Sequence, residues 1–202
     1  MLAVSKTFGA DAVAQAHAAG QAAFGENYIQ EGVDKIQALR HLPLEWHCIG
    51  PIQSNKTRLV AEHFDWVHTI DRLKIAQRLS EQRPVHLEPL QVCIQINVDA
   101  GANKSGVAVS EARDLVQAVA ALPRLRVRGL MCIPEPAPDF IAACALYARA
   151  TALFDTLNSA GMPLDTLSMG MSGDLEAAIA SGSTMVRVGS AIFGQRGLTS
   201  SA

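Results

Sequence analysis

This sequence lacks several features that define other classes of protein. Aromatic residues make up only 5% of its 202 residues, the formal net charge is −2, and basic residues form no cluster, which argues against a nucleic-acid-binding surface. The uninterrupted apolar runs are too short to cross a bilayer, and no signal peptide precedes the first strand-like segment. We therefore expect a protein that binds neither nucleic acid nor a membrane.

Cysteine is scarce, and its spacing argues against disulfides and metal ligation. Cys48, Cys93, Cys132 and Cys144 are far apart in the sequence and include no C-x-x-C pair. Three of them lie in strand-like segments or at strand edges, where a reduced thiol packs as a small apolar group. We therefore expect no metal site, and thiols that are kept reduced in the cytoplasm.

What the sequence does contain is a regular alternation of strand-like and helix-like segments, with 49% hydrophobic residues to form a core. The predicted strands are residues 2–7, 22–26, 45–49, 66–70, 92–98, 125–133, 166–169 and 185–188. The predicted helices are residues 11–19, 29–39, 55–63, 73–82, 110–122, 139–160 and 175–180. Ser110 is the predicted N-cap of the fifth helix. This alternation implies parallel strands with right-handed crossovers, and eight such units close a (β/α)₈ TIM barrel.

A doubly wound open sheet is the alternative α/β arrangement of the same segments. Its G-x-G-x-x-G phosphate motif is absent after the first strand, which favours the barrel. No linker divides the chain, because the proline-rich residues 134–138 fit one loop between a strand and a helix. We therefore predict a single barrel domain over residues 1–196 and a frayed tail over residues 197–202.

Lys6 is the most informative single residue, because it is the one charged side chain in an otherwise apolar first strand. Desolvation at a strand end favours the neutral amine, which can add to a carbonyl group and form a Schiff base. The alternative is a lysine whose long side chain reaches from the strand end to solvent. In barrels of this type the reacting groups lie at the C-terminal strand ends, which favours the chemical role.

The last two strand ends carry a pattern that is typical of phosphate binding. Residues 169–174 read Met-Gly-Met-Ser-Gly-Asp, and residues 186–190 read Val-Arg-Val-Gly-Ser. Glycine lets the backbone approach an anion closely, while serine hydroxyls and N–H groups at helix starts donate to it. Ser172 and Ser190, with the N–H groups near Gly173 and Gly189, are therefore candidate phosphate donors, although ordinary turn chemistry explains either loop taken alone.

Arg187 lies between Val186 and Val188 and therefore faces the opposite side of the strand, into the barrel. A buried arginine needs an acceptor. That acceptor is either a structural ion-pair partner, with Asp71 and Glu26 as candidates, or a ring nitrogen of a bound ligand. An imine-forming lysine, a phosphate site and an arginine that faces a ring nitrogen together predict a site for pyridoxal 5′-phosphate.

Several segments resemble those of the pyridoxal-phosphate homeostasis family, in the family's order and along nearly the whole chain. The matching segments are LAVSKT (2–7), FGENY (24–28), EWHCIGPIQSNK (45–56), HTID (68–71), KSG (104–106), RGLM (128–131), LSMGMS (167–172) and MVRVGSAIFG (185–194). The resemblance implies a single barrel like the N-terminal domain of alanine racemase, the fold type III class of pyridoxal-phosphate proteins. This expectation agrees with the segment pattern.

Carried over position by position, the resemblance implies cofactor-binding roles for six residues. Lys6 matches the lysine that holds pyridoxal phosphate as a Schiff base, and Asn27 matches an asparagine near the cofactor. Arg187 matches the arginine that faces the pyridine nitrogen. The phosphate-binding loops match at Ser172, Gly189 and Ser190. His47 also lies at a family motif position, without an assigned contact to the ring.

Two departures from the family pattern are visible. Relatives have a leading helix before the first strand, which is absent here, and we expect this to affect stability and solubility more than the ligand set. The C-terminal tail lacks the lysines that some relatives carry. Lys104, in the loop after the fifth strand, is a candidate second amine that receives the aldehyde during release, although a solvated surface lysine is the simpler interpretation.

The choice between a carrier and an enzyme depends on the residue at the pyridine nitrogen. Arginine stays protonated and donates to that nitrogen, which leaves the ring a weaker electron sink than the carboxylate of most pyridoxal-phosphate enzymes does. We therefore predict a non-catalytic carrier in intracellular cofactor homeostasis, with apo pyridoxal-phosphate enzymes as candidate recipients. The alternatives are a racemase or decarboxylase of small amino acids that needs a partner subunit, and a barrel enzyme that acts on a phosphorylated sugar through Lys6. We expect a monomer, although an uncovered N-terminal sheet edge favours association.

Overall fold

The computed structural model describes residues 1–99 and 105–194. The strands in this part are β1 (Leu2–Val4), β2 (Ala23–Glu26), β3 (Glu45–Cys48), β4 (Trp66–Ile70), β5 (Leu90–Asn97), β6 (Val107–Ala108), β7 (Leu125–Met131), β8 (Thr166–Ser168) and β9 (Arg187–Val188). The helices are α1 (Ala10–Ala18), α2 (Ile29–Ala38), α3 (Thr57–His63), α4 (Leu73–Gln82), α5 (Ala112–Ala120), α6 (Phe140–Ser159), α7 (Leu175–Ala180) and α8 (Ser190–Phe193). A 3₁₀ turn at Ser54–Lys56 precedes α3. With β5 and β6 counted as one unit, a helix follows every strand.

The strands form one parallel sheet in the order β8-β7-β5-β4-β3-β2-β1-β9, with β6 beside β5 and off this path. The two ends of the sheet meet, because Ser168 at the end of β8 forms a parallel bridge with Met185. The Met169 N–H donates to the Met185 carbonyl at 3.2 Å, and the Arg187 N–H donates to the Gly170 carbonyl at 2.9 Å. The sheet therefore closes into the predicted (β/α)₈ barrel, and the open doubly wound sheet is wrong.

Several predicted element boundaries differ from the structure by one to three residues, and two of these differences have a local reason. The first strand ends at Val4, because Ser5 begins a turn in which the Phe8 N–H donates to the Ser5 carbonyl at 3.0 Å. The N-cap of α5 is Glu111, without a side-chain hydrogen bond, so Ser110 does not cap that helix. The short elements β6 and α8 were not predicted, since two to four residues show no periodic pattern.

The barrel wall separates two packed layers, because alternate residues of a strand point to opposite faces. A large apolar layer that includes Ala3 and Phe24 fills the space between the strands and the helices. Two smaller apolar clusters lie inside the barrel, with Leu2, Val4 and Ile49 in one and Trp66, Cys93 and Met131 in the other. The interior also contains buried polar side chains, among them those of His47, His68 and Arg187. The inside of the barrel is therefore partly polar.

Helix α6 is long and apolar enough, by length and composition alone, to cross a membrane, with a mean hydropathy of 1.3. It packs against β7, β8 and α7, and Arg149 in its middle donates to the Val98 carbonyl oxygen at 2.7 Å. A helix in the outer ring of a barrel passes the same test, so this property is weak support for a membrane role. That the protein binds no membrane stays a prediction.

Some expectations concern parts of the chain that the structure does not describe. Lys104 lies outside the described residues, and so do residues 195–202, which contain the predicted tail. The division into a barrel domain over residues 1–196 and a tail over residues 197–202 therefore stays a prediction. The expectation about a leading helix in relatives likewise stays a prediction.

Candidate functional site

One cavity lies at the C-terminal ends of the barrel strands and has a volume of about 760 Å³. All six residues predicted to bind a cofactor line it, namely Lys6, Asn27, Ser172, Arg187, Gly189 and Ser190. The other lining residues are Val4, Phe8, Ile49, Ile133, Met171, Gly173 and Gly194. Apolar side chains therefore form much of the wall and a few polar groups converge inside, which is the usual composition of a small-molecule site.

Lys6 lies in the turn that follows β1, and its side chain is half-buried. The first strand ends at Val4 and not at Thr7 as predicted, but the turn still places Lys6 at the cavity. Within the described part of the chain, its amine has no hydrogen-bond or ion-pair partner. The amine is therefore open to a ligand.

The residue before Lys6 is held by a second lysine. Lys35 on α2 is only 5% exposed, and it donates to the Ser5 carbonyl oxygen at 2.8 Å and to the Glu26 carboxylate at 2.7 Å. The Ser5 hydroxyl donates to the same carboxylate oxygen at 2.6 Å. Burial raises the pKa of Glu26, and the hydrogen bonds from Lys35 and Ser5 oppose that rise. Backbone and side chain of Ser5 are thus both fixed.

The residue after Lys6 is held by the same network. The Thr7 N–H donates to the Glu31 carboxylate at 2.7 Å, and this carboxylate also accepts from Lys35 at 2.7 Å. Thr7 has a φ of 70°, a left-handed conformation that a β-branched residue rarely adopts. The network was not predicted, although Lys35 is one of the buried residues of α2, and a buried lysine needs charged partners.

Asn27 follows β2 and reaches the cavity from the second strand end. Its Oδ1 atom is buried and has no hydrogen-bond partner among the described residues. Its backbone packs against Gly50, where an added Cβ atom would lie 2.1 Å from the Asn27 carbonyl oxygen. Glycine at position 50 therefore permits the close approach, and the unpaired Asn27 oxygen is a place for a donor on a ligand.

The loops after β8 and β9 meet at one end of the cavity. The hydroxyl of Ser190 donates to the Ser172 hydroxyl at 3.3 Å. In the described residues, no backbone carbonyl accepts from the N–H groups of Ser172 and Gly173. An added Cβ at Gly189 would lie 3.3 Å from a β1 carbonyl oxygen, so this loop packs tightly on β1. The hydroxyl groups of Ser172 and Ser190 and the N–H groups of Ser172 and Gly173 therefore lie together at the predicted phosphate site.

A buried contact from α6 holds the loop after β8. Asp174 accepts from the Met171 N–H at 2.6 Å and from the Tyr147 hydroxyl at 2.6 Å. Tyr147 is 1% exposed, so the carboxylate is tied to the body of the barrel. The sequence analysis did not predict that Asp174 and Tyr147 support this loop, because their side chains meet although they are 27 residues apart in the sequence.

Arg187 is 4% exposed and is held by neutral oxygens. Its Nη1 donates to the carbonyl and hydroxyl oxygens of Ser168 at 2.7 and 2.8 Å, and its Nη2 donates to the Cys132 carbonyl at 3.0 Å. The structural alternative of an ion pair with Asp71 or Glu26 is wrong, because both carboxylates have other partners. The Nε–H of Arg187 has no acceptor among the described residues, so this donor is left for a ligand.

His47 is not among the described residues that line the cavity. It is fully buried inside the barrel, where its two ring nitrogens lie 2.9 Å from His68 and 2.8 Å from Glu45. The His68 ring in turn lies 2.8 Å from the Ser168 hydroxyl. The family motif position of His47 therefore belongs to an interior network, which the sequence did not predict.

The donor set defines the kind of ligand that fits the cavity. An amine without a partner suits an aldehyde or ketone. A buried guanidinium with a spare N–H suits an acceptor such as a ring nitrogen, and a group of hydroxyl and N–H donors suits an anion. The described site therefore fits a flat heteroaromatic carbonyl compound that carries an anionic group.

Comparison with known proteins first defines the class. The family model described as "Alanine racemase, N-terminal domain" matches residues 1–197. The structure of alanine racemase from Clostridium difficile 630 superposes with a TM-score of 0.78 at 16% identity, covering 98% of this chain and 53% of that chain. At this identity the likeness shows the fold alone, which is the alanine-racemase type of barrel.

More similar proteins define the family. The "Pyridoxal phosphate homeostasis protein" of Pseudomonas aeruginosa is 60% identical over 196 residues, which cover 97% of this chain and 84% of the relative. Structures of PipY from Synechococcus elongatus PCC7942, without PLP and with PLP bound, have TM-scores of 0.88 at 38% and 37% identity. They cover 96% of this chain and 91% and 92% of those chains. The chain therefore belongs to the pyridoxal phosphate homeostasis protein family, and the predicted resemblance is confirmed.

Proposed function

We propose that this protein binds pyridoxal 5′-phosphate and serves intracellular cofactor homeostasis by holding and releasing it, without turning over a substrate. The observation that carries the proposal is that Lys6, Asn27, Ser172, Arg187, Gly189 and Ser190, from four separate strand ends, line one cavity. The family supports it, because a relative is named for pyridoxal phosphate homeostasis and PipY is described with PLP bound.

Lys6 is the attachment point in this proposal. When bound, pyridoxal phosphate supplies an aldehyde with which a lysine amine forms a covalent, reducible linkage. The amine of Lys6 is half-buried and unpaired within the described residues, and the bonds of Lys35 and Glu31 to Ser5 and Thr7 keep its backbone in place. The Asn27 Oδ1 atom offers a nearby acceptor.

The opposite side of the cavity orients the ligand. We assign the phosphate to Ser172, Gly189 and Ser190, and the pyridine nitrogen to Arg187. Burial lowers the pKa of Arg187, but a guanidinium remains protonated at neutral pH and can only donate. A ring nitrogen that accepts a hydrogen bond from arginine stays unprotonated, so the pyridine ring is a weaker electron sink for a carbanion at the reacting carbon. This arrangement favours holding the cofactor over turnover.

The cavity also lacks a second acid or base within the described residues. Of the residues that line it, Lys6 and Arg187 alone have titratable side chains. Tyr147 is buried and its hydroxyl donates to Asp174, while Tyr28 is 57% exposed and outside the lining set. Racemisation needs a positioned base within hydrogen-bond reach of the substrate, and the described part of the chain supplies no such second base at the cavity.

Two measurements on purified protein test the proposal. We expect a change in the absorption spectrum when pyridoxal phosphate is added, and recovery of activity when the loaded protein is mixed with an apo pyridoxal-phosphate enzyme. Addition of single amino acids should shift the spectrum without product, as judged by chiral chromatography and amine analysis. Sustained racemisation or decarboxylation would contradict the non-catalytic role, and a spectrum unchanged by pyridoxal phosphate would contradict binding.

We further propose a cytoplasmic location, a monomeric state and apo pyridoxal-phosphate enzymes as recipients. The location is supported by the four unpaired cysteines, because burial raises the pKa of Cys48, Cys93 and Cys132 to about 12 and reduced core thiols suit a reducing compartment.

Sedimentation tests the monomeric state. It should give a single species of 21.5 kDa, and a faster species at the same concentration would contradict the monomer.

A further inference from the structure

A chain of hydrogen bonds runs through the barrel interior, away from the cavity that Lys6 lines. Arg187 Nη1 lies 2.8 Å from the Ser168 hydroxyl, and that hydroxyl lies 2.8 Å from His68 Nδ1. His68 Nε2 lies 2.9 Å from His47 Nδ1. His47 Nε2 lies 2.8 Å from Glu45 Oε1. The three middle residues are 0% exposed, so water does not compete with these bonds.

The far end of the chain reaches the opposite side of the barrel. Glu45 is the first residue of β3 and lines a second cavity, of about 500 Å³, at the N-terminal ends of β3, β4, β5 and β7. Its side chain is 49% exposed. Trp66 stacks on the His47 ring at a centroid distance of 5.2 Å, and Arg128 lies 4.8 Å over Trp66. The chain therefore joins one cavity to the other, with stacked groups that hold its outer ring.

The direction of every bond follows from the Glu45 end. An ionised carboxylate only accepts, so His47 must donate from Nε2. A neutral ring has one proton, so His47 accepts at Nδ1 and His68 donates from Nε2. His68 then accepts at Nδ1, so the hydroxyl of Ser168 donates to it. The Ser168 oxygen accepts from Arg187, because a guanidinium group can donate hydrogen bonds but cannot accept them.

The charge states that this argument uses agree with the surroundings of each group. The hydrogen bond from His47 lowers the pKa of Glu45, which keeps that carboxylate ionised. Burial lowers the pKa of His47, and burial lowers the pKa of His68 well below its usual value. The reverse polarity would place an unprotonated nitrogen of His47 against the Glu45 carboxylate, where both atoms carry lone pairs. A protonated His68 is the other alternative, and it would put a second positive charge inside the barrel near Arg187.

We propose that this chain positions the cofactor-facing arginine, with Ser168, His68, His47 and Glu45 as its positioning residues. The chain ties Nη1 of Arg187 to the barrel interior and leaves Nε–H for the cavity. Aligned hydrogen bonds polarise one another, so a change at the exposed Glu45 reaches Arg187. The effect on the ligand rests on the proposed function, whereas the polarity of the chain does not.

The polarity is tested without any cofactor. Long-range ¹H–¹⁵N spectra of the full-length protein with ¹⁵N-labelled histidine report which ring nitrogen carries the proton, and His47→Gln and His68→Gln assign the two signals. We expect both rings to be neutral and protonated on Nε2 at neutral pH. A proton on Nδ1 of either ring, or a cationic ring, would overturn the proposal.

Two variants at the exposed end act as a matched pair. Glu45→Gln keeps an acceptor for His47, and Glu45→Leu removes it. We expect the spectrum of Glu45→Gln to keep the Nε2–H form at both rings, and that of Glu45→Leu to show a mixture of forms at His47. An unchanged His47 signal in Glu45→Leu would show that the carboxylate does not set the direction, and would overturn the proposal.

The effect on the ligand is measured as pyridoxal phosphate affinity. Ser168→Ala should weaken binding on the order of tenfold, because Arg187 loses an acceptor, while Ser168→Thr should keep wild-type affinity. Glu45→Leu, at a half-exposed position that tolerates change, should weaken binding by about threefold. Wild-type affinity in both Ser168→Ala and Glu45→Leu would overturn the positioning role. If the wild-type protein binds no pyridoxal phosphate, the proposed function fails, and the ring tautomers still decide the polarity.

Discussion

The ammonium group of Lys35 lies 2.8 Å from the carbonyl oxygen of Ser5, the residue that precedes Lys6. Lys35 has three acceptors, the other two being Glu26 and Glu31 at 2.7 Å each, so each of its three protons has a partner. Lys6 has none within the described residues. The buried lysine is therefore structural, and it fixes the turn from which the free amine of Lys6 reaches the cavity.

Replacing Lys35 by methionine should destabilise the protein by about 3–5 kcal/mol, because Glu26 would be left as a buried charge without its partner. We also expect slower covalent attachment of pyridoxal phosphate at Lys6, since the Ser5 carbonyl loses its donor. Urea unfolding measures the first effect, and borohydride trapping at fixed times measures the second.

The double variant Lys35→Met with Glu26→Leu separates these two effects. Removing both charges should restore much of the free energy of unfolding, because no unpaired charge remains. Attachment at Lys6 should stay slow, since Ser5 still lacks both the Lys35 donor and the Glu26 acceptor, while Thr7 keeps its contact with Glu31. A double variant that labels Lys6 at the wild-type rate would show that the network is needed for stability alone.

Gly50 should not tolerate a side chain. An added Cβ would lie 2.1 Å from the Asn27 carbonyl oxygen, so Gly50→Ala must displace the strand end that carries Asn27. We expect a loss of about 1–3 kcal/mol in the free energy of unfolding, and weaker binding of pyridoxal phosphate. The matched control is Gly9→Ala, where an added Cβ has no neighbour within 4 Å. If the two variants behave alike in urea unfolding and in affinity, the close packing at Gly50 is unimportant.

The two interior histidines should make stability depend on pH. Burial lowers the pKa of His47 and of His68 from 6.5, so the folded state keeps both rings neutral while the unfolded chain binds protons. These groups leave the free energy of unfolding unchanged above about pH 6.5 and reduce it as the pH falls below that value, by up to about 1.4 kcal/mol per pH unit for each ring. Urea unfolding between about pH 7 and pH 5 measures the slope.

The control for this prediction is His68→Gln, which removes one of the two titrating rings. Burial raises the pKa of Glu26 and of Asp65, and these groups favour the folded state as the pH falls, so the comparison between variant and wild type is the informative one. The variant should lose stability less steeply with decreasing pH. Equal slopes would show that His68 is not buried in its neutral form.

The sequence predicted the cavity residues better than the groups that support them. Lys6, Ser172 and Ser190 were predictable because parallel strands end at the same side of a barrel, so polar residues at those ends must meet. The alternation of a strand also predicted that Arg187 faces inward. These predictions need only the order of the elements and the direction of the strands. Asn27 was predicted from the family resemblance.

The supporting contacts depend on geometry that a sequence pattern does not contain. His68 and Ser168 are 100 residues apart, and their contact follows from how the barrel closes between β8 and Met185. The bonds of Lys35 depend on the rotation of α2 against the turn that follows β1. A buried charged residue on a helix predicts that partners exist, but the particular partners emerge only from packing.

The most direct test of the account is to find the residue to which pyridoxal phosphate becomes attached. The protein is mixed with pyridoxal phosphate and reduced with borohydride, and the label is located by peptide mass mapping among Lys6, Lys35, Lys56, Lys74 and Lys104. Lys6→Ala is compared with Lys74→Ala, a change at an exposed position on α4. We predict one labelled residue, Lys6, and a label that is lost in Lys6→Ala and kept in Lys74→Ala. A reducible adduct that persists unchanged in Lys6→Ala would contradict the account.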